Sequence, residues 1–322
     1  GGNYNVVVGD EAGTAITTGD FNTAVGYAAG AAVTTGVNNT LIGGLAGDAM
    51  TTASFNVALG TSALSAETQG NRNTAIGHAA LAASNTTSNA DTNNTAVGCL
   101  AGLNVTTGVQ NTLIGAQAGD AVTTGLFNAF LGGYAGNTVS TGTGNTAIGY
   151  NSDCGTGAAV GRIAVGISVV CQSDQRITVG YGGNVASLEL NGSDTSWAAS
   201  SDERLKENVV SSTAGLSFIN DLRPVTYNWK KAKDVPSNLP QYIDGSDDPC
   251  LGETYGTQIH GFIAQEVKTV LDNHPEVKDG QGVWQTDETT VQTLAPAALV
   301  PMLVKAIQEQ SALITSLTAR VA

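Results

Sequence analysis

A mainly β fold is predicted: a solenoid shaft of about 17-residue coils, then a mixed α+β domain that ends in a coiled-coil helix. Three observations predict it. An asparagine recurs every 17 residues through the first half of the chain. Composition breaks sharply near residue 200, where the glycine-rich array stops and the first lysine, Lys206, and first proline, Pro224, appear. Apolar residues recur every seven positions at the C-terminus.

The array comes first. Asn5, Asn22, Asn39, Asn56, Asn73, Asn94, Asn111, Asn128 and Asn145 are 17 apart except for one step of 21 between Asn73 and Asn94. A glycine stands four residues after each, from Gly9 to Gly149, and an aliphatic residue stands just before each glycine, from Val8 to Ile148. "NTAVG…NTLIG" from Asn22 returns from Asn94, a shift of 72 residues that marks duplication of a four-coil block. A 17-residue unit is too short for two helices, and Gly and Thr are poor helix formers. Short strands, with the aliphatic facing in, glycine allowing positive φ and asparagines stacked into a ladder, fit instead. One aliphatic and one or two alanines per coil make a thin core, so several chains are expected to associate side by side. Strands stacked at 4.7–4.8 Å make nine coils a rod about 40 Å long. After Asn151 the pattern shortens, and residues 151–200 read as a β-rich transition.

Residues 201–322 read as a separate globular domain, with its coiled coil from about 297. Val300, Ile307, Ile314 and Val321 fall on one heptad position and Leu303, Gln310 and Leu317 on another. The pattern leaves the number of helices open. It is still running at the last residue, as the array's is at the first, so continuation at both ends is expected.

Net charge is −14 with only 12% charged residues. That disfavours nonspecific binding to nucleic acid or anionic membrane, and so few charges do not fit an ordinary helical enzyme. No apolar run is long enough to span a bilayer. Cys99, Cys154, Cys171 and Cys250 show no CxxC spacing and read as free thiols of a protein made in a reducing cytoplasm. No phosphate loop, zinc spacing or calcium motif is present, so neither cofactor nor metal is expected. The Asn-x-Thr triplets follow from the abundance of both residues and are not read as glycosylation sites. Threonine pairs along a flat face also fit an ice-binding surface, which ranks well below the other readings.

The junction reads "SSDERLKEN". Ser200 with Glu203 fits a capping box at a helix start. The alternative is a Ser201–Lys206 dyad, in which a neutral lysine takes the proton of a serine that attacks the preceding carbonyl, that of Ser200. Five residues apart, the two do not share a helix face, so the serine has to sit on a bend outside the helix.

"SDERLKEN", then "LSFINDLRPVTYNWK" (Leu216–Lys230), "HGFIAQEV" (His260–Val267) and "LAPAALVPMLVKAIQEQ" (Leu294–Gln310), resemble in order the C-terminal self-cleaving intramolecular chaperone of phage tail fibres and tailspikes. This resemblance implies Ser201 as nucleophile, Lys206 as general base and cleavage at Ser200–Ser201. Asp202, Arg204 and Asn208 belong to the same motif without an assigned role, and His260 reads as structural. "NTAIGYxAG…TTG" over residues 5–150 resembles the head repeats of trimeric autotransporter adhesins and similar fibre shafts, although the coil here is longer. Together the resemblances imply a homotrimer in a virion tail, assembled in the host cytoplasm. Its implied partners are other tail proteins and a host-surface receptor, glycan or protein. A bacterial trimeric surface adhesin with the same chaperone is the alternative. It calls for a signal peptide and a membrane anchor, neither of which is read here.

Overall fold

The computed structural model describes residues 2–191, 198–199, 203–239, 241–251, 258–277, 283–286 and 292–321. The chain falls into two compact units, Gly1–Leu205 and Lys206–Ala322.

The first unit is a β-solenoid. Its three-residue strands are β1 (Val6–Val8), β2 (Thr23–Val25), β3 (Thr40–Ile42), β4 (Val57–Leu59), β5 (Thr74–Ile76), β6 (Thr95–Val97), β7 (Thr112–Ile114), β8 (Ala129–Leu131) and β9 (Thr146–Ile148). Each pairs in parallel with the next, equivalent residues side by side: Thr23 with Thr40, and Thr74 with Thr95 across the longer coil. The parallel ladder runs on through β10 (Ile163–Ile167) and β11 (Arg176–Tyr181), where the coil shortens. Antiparallel β12 (Asn184–Glu189) and β13 (Ala198–Ala199) follow.

Two columns fix this stacking. At Gly77, φ is +133° and an added Cβ would meet the Gly98 carbonyl oxygen at 2.4 Å, so both the conformation and the close approach require glycine. The asparagines form a buried ladder. Asn39 Nδ2 donates to the Ala53 carbonyl at 2.8 Å, and its Oδ1 accepts the backbone N–H of Asn56 at 3.0 Å. The ladder crosses the 21-residue step through Asn94 N–H to Asn73 Oδ1 and ends on the buried Arg162, whose N–H donates to Asn145 Oδ1.

The inward residue is not the expected one. Side chains alternate along a strand, and the middle residue faces in: Leu41, Ala58, Ala75, Ala96, Leu113, Phe130 and Ala147 are buried. The aliphatics before each glycine point outward, and Leu59, Leu131 and Ile148 are 40–49% exposed. The coil's interior is too narrow to take both.

That interior is size-compensated. Where the middle residue is large, the residue five positions after the strand's end is glycine, as in Leu41/Gly47, Leu113/Gly119 and Phe130/Gly136. In two coils whose middle residue is alanine, a buried leucine at positive φ fills the space, Ala58/Leu64 and Ala75/Leu81, whereas after Ala24 and Ala96 the position is Gly30 and Gly102, against which Leu41 and Leu113 of the next coil stand. A Cβ on Gly136 would lie 2.3 Å from the Phe130 ring. One further core column, Val33, Met50, Val105, Val122 and Val139, is interrupted by Glu67, which is fully buried. Its Oε1 accepts Gly70 N–H at 2.7 Å and both Thr86 N–H and Thr86 Oγ1–H, and its Oε2 accepts the Ser84 Oγ–H at 2.7 Å. Ser84 and Thr86 lie within the 21-residue step between Asn73 and Asn94, and Gly70 lies just before it, so the carboxylate ties the longer coil to the one before it.

The second unit contains α1 (Leu216–Asp221), β14 (Val225–Tyr227), β15 (Ile259–Gly261), α2 (Ala264–Asn273), β16 (Trp284–Thr286), β17 (Gln292–Leu294) and α3 (Val300–Val321). β14–β15 and β16–β17 are antiparallel pairs. Phe218, Val267, Leu271, Val277, Val283 and Leu299 close its core.

The compensation predicts a double-mutant cycle. Phe130→Ala alone should cost about 3–5 kcal/mol, and Gly136→Leu alone should destabilise through the clash. The double variant reproduces the Ala58/Leu64 pairing and should recover most of the loss, with a coupling of about 1–3 kcal/mol. Thermal unfolding of the four proteins measures it. Additive losses would show that the two positions do not share one space.

Candidate functional site

Ser200, Ser201 and Asp202 lie outside the described residues. Glu203–Leu205 form a single 3-10 turn, not the opening of a longer helix, and residues 206–214 continue without helix or strand. Of the residues expected to work at this junction, Arg204, Lys206 and Asn208 are described, and all three are exposed. Asn208 takes φ +53°, a left-handed conformation that asparagine tolerates better than most residues. A lysine serves as a base only when burial keeps water from its amine, and the single chain does not bury Lys206.

Beyond the junction, three features organise the second unit. The first is α3, which carries two apolar faces. Met302 and Ala306 turn toward the unit's core, beside Leu299 just before the helix. On the same side, Glu309 Oε2 accepts the Leu216 N–H at 2.8 Å, which holds its carboxyl below the usual range and caps α1, whose own cap Gly215 has no side chain. The adjacent face is exposed: Val300, Leu303, Ile307, Ile314, Leu317 and Val321.

The second is a cleft of about 780 Å³ lined by Tyr227, Trp229, His260, Phe262, Leu294 and Pro296, among others. His260 sits on β15 opposite Thr226, with its backbone in the antiparallel pair, and its side chain is exposed at the cleft.

The third is His274, which the sequence reading missed. It caps the C-terminal end of α2, is only 8% exposed, and stands edge-on to Phe218. Its Nε2 lies 2.8 Å from Asp221 Oδ2 and its Nδ1 lies 2.8 Å from Glu276 Oε1. A neutral imidazole carries one N–H, so only the imidazolium donates to both carboxylates. Asp221 first, then Glu276, raise the His274 pKa above its ordinary value, while His274 lowers that of Glu276. The helix C-terminus favours the same positive charge. "DNHPEV" signals a helix end before Pro275, but no local pattern brings Asp221 to the ring.

The thiols differ in setting. Cys154 and Cys171 are buried, and burial pushes the Cys154 thiol up to about 12, whereas Cys99 is exposed.

Residues 201–275 match the model of a peptidase family described as chaperone of endosialidase. The match begins at Ser201 and includes three of the four motif blocks read from the sequence; Leu294–Gln310 lies beyond it. No curated protein and no solved structure matches the chain.

The clamp predicts a pH dependence with a definite sign. The raised His274 pKa contributes stability that is complete below the ordinary histidine value of 6.5 and is lost as pH rises through the folded value. The lowered Glu276 pKa contributes stability that is complete above the ordinary 4.5 and is lost as pH falls through the folded value. Urea unfolding followed by tryptophan fluorescence should therefore be most resistant between those two values and weaken as pH rises through the raised His274 value. His274→Gln should flatten the alkaline side. An unchanged alkaline limb in that variant would mean that the imidazole is not the group that titrates.

Proposed function

We propose that this chain is a segment of a homotrimeric tail fibre or tailspike that attaches a virion to its host. In this reading its C-terminal domain templates trimer folding and then cleaves itself away between Ser200 and Ser201. One coincidence carries the reading. The segment similar to the chaperone of endosialidase starts at Ser201, where the glycine-rich array gives way to a chain with lysine and proline.

Two surfaces support the trimer. The outward face of β2–β9 holds only threonine, alanine and aliphatic side chains, without one charged residue in a chain of net charge −14. A continuous apolar stripe of this kind marks an association surface. The exposed α3 face repeats at heptad spacing, the pattern by which helices of separate chains pack together.

In the proposed step, the Ser201 hydroxyl attacks the Ser200 carbonyl carbon while Lys206 accepts its proton. The Ser200–Ser201 C–N bond breaks, the freed Ser201 amine takes a proton, and water hydrolyses the resulting ester. Lys206 is exposed in the single chain, so trimer assembly supplies the desolvation that the amine needs. Cleavage thus waits for correct assembly.

A denaturing gel tests this. Wild-type protein should yield pieces of 200 and 122 residues, and Ser201→Ala and Lys206→Ala should each leave the 322-residue chain intact. Chains held monomeric in denaturant should not cut. Cleavage at the same bond in both variants, or in denatured monomer, would overturn the dyad or its dependence on assembly.

Cleavage should also leave a kinetic mark. Unfolding the mature stack breaks many contacts between chains at once, so the barrier is high. Refolding needs aligned ends, which the 122-residue domain supplies only before release. After heating and cooling, the mature protein should not regain trimer by gel filtration or circular dichroism, whereas Ser201→Ala should recover at least in part. Equal recovery would reduce the domain to a terminal cap.

A further inference from the structure

One corner of the solenoid carries a column that neither the core nor the strand face uses. It is the residue before each ladder asparagine: Phe21, Asn38, Phe55, Arg72, Asn93, Gln110 and Phe127 follow one another from Asn22 to Asn128. All stand at φ between +51° and +62° and all are exposed. The left-handed conformation is cheapest for asparagine or glycine and strained for a bulky side chain. A phenylalanine there gains little burial to offset the strain: Phe21, Phe55 and Phe127 are 48–55% exposed. Leu64 and Leu81 take the same left-handed conformation but bury their side chains in the core; these rings do not, which points to a role outside packing.

We infer that this column is a recognition surface for a neutral polysaccharide laid along the solenoid axis. The inference rests on the host-attachment reading above and gives it a ligand class. Aromatic rings offer flat apolar faces on which the C–H faces of sugar rings stack. Tyr4 and Phe21 already form a parallel pair 4.9 Å apart, a platform two coils long. Between the rings stand the exposed carboxamides of Asn38, Asn93 and Gln110, at a coil spacing of about 4.8 Å. They present the donors and acceptors that sugar hydroxyls satisfy.

The same polar groups argue against a second copy as occupant. A dry contact between chains would strip water from each carboxamide, and the uncharged strand face beside this corner is the better surface for that contact. Charge selects a neutral glycan over an acidic one. The first 200 residues contain no lysine in a chain of net charge −14. The column's one cation, Arg72, is paired with Asp91 at 2.9 Å and lies over the Phe55 ring.

The test uses the replacement that other coils already carry. Phe21→Asn, Phe55→Asn and Phe127→Asn together install the residue of Asn38 and Asn93 and relieve strain, so the fold is expected to keep or gain thermal stability. Labelled full chain is applied to an array of neutral, uronic-acid and sialic-acid polysaccharides, and oligosaccharides of the best neutral one are titrated by calorimetry. Binding to a neutral polysaccharide is expected, weakened at least about tenfold by the triple substitution. No neutral binder, preference for acidic glycans or unchanged affinity would overturn the inference. So would a loss of oligomer stability in the triple variant, which would make the column a contact between chains. Gel analysis of the same samples separates this from the broader reading. Cleavage without neutral-glycan binding overturns the column alone, whereas absence of cleavage overturns the fibre reading.

Discussion

Each coil of the solenoid is held to the next by a buried asparagine whose amide serves two coils at once. The side-chain N–H₂ closes its own coil on a carbonyl 14 residues ahead, and the side-chain oxygen receives the backbone N–H of the following asparagine. Backbone bonds join the coils beyond the strands as well, such as Gly30 N–H to the Ala46 carbonyl and Thr34 N–H to the Thr51 carbonyl, and the amide adds pairing at a corner where water is excluded. The glycine column completes the constraint, because stacked backbones at that spacing leave no room for a Cβ. Everything else in the first unit is arranged around these two columns. The strand between them is three residues long, so one side chain faces in and two face out.

This geometry explains both what was legible and what was not. The period, the asparagines and the glycines repeat by residue type, and the solenoid could be read from them. The direction of the strand side chains could not. In "TAV" or "TAI" the larger apolar residue looks like the core residue, yet the narrow interior selects the alanine and turns Val25 and Ile76 outward, half-buried. Only the distances across the coil, such as Gly136 to Phe130, show how little space there is. At the junction, motif order carried the reading of Ser201 and Lys206. The 3-10 turn that replaces the expected helix start is followed by a segment, 206–213, whose residues are all exposed, so nothing there holds a longer helix in place. His274 was invisible because its partners come from α1 and from the turn after α2, a tertiary arrangement without a period.

The two units solve stability by different means. The solenoid repeats one solution, so its buried groups recur at the same few positions from coil to coil. The second unit relies on single contacts between distant residues: Glu309 capping α1 from α3, and His274 joining Asp221 to Glu276. Exposed ion pairs contribute little to such a fold. A buried ring whose two nitrogens both face carboxylates is different, since loss of its proton leaves a polar mismatch inside the core.

Repetition has a cost in specificity, and the 21-residue coil bears on it. Coils of equal length and near-equal sequence can stack out of order with most contacts preserved. Glu67 cannot. Its carboxylate is buried, and its donors, Gly70, Ser84 and Thr86, exist together only where the chain has its extra residues. One duplicated block later, 72 residues on, the same place in the core is held by Val139. Any mis-stacking that moves Glu67 against a valine or methionine column buries a charge without partners, at a cost of several kcal/mol. A mis-stacked valine would face only another apolar side chain and would lose little. The buried acid therefore adds discrimination that the uniform coils lack. It acts in the middle of the stack, where the ends of the chain have least influence on which coils meet.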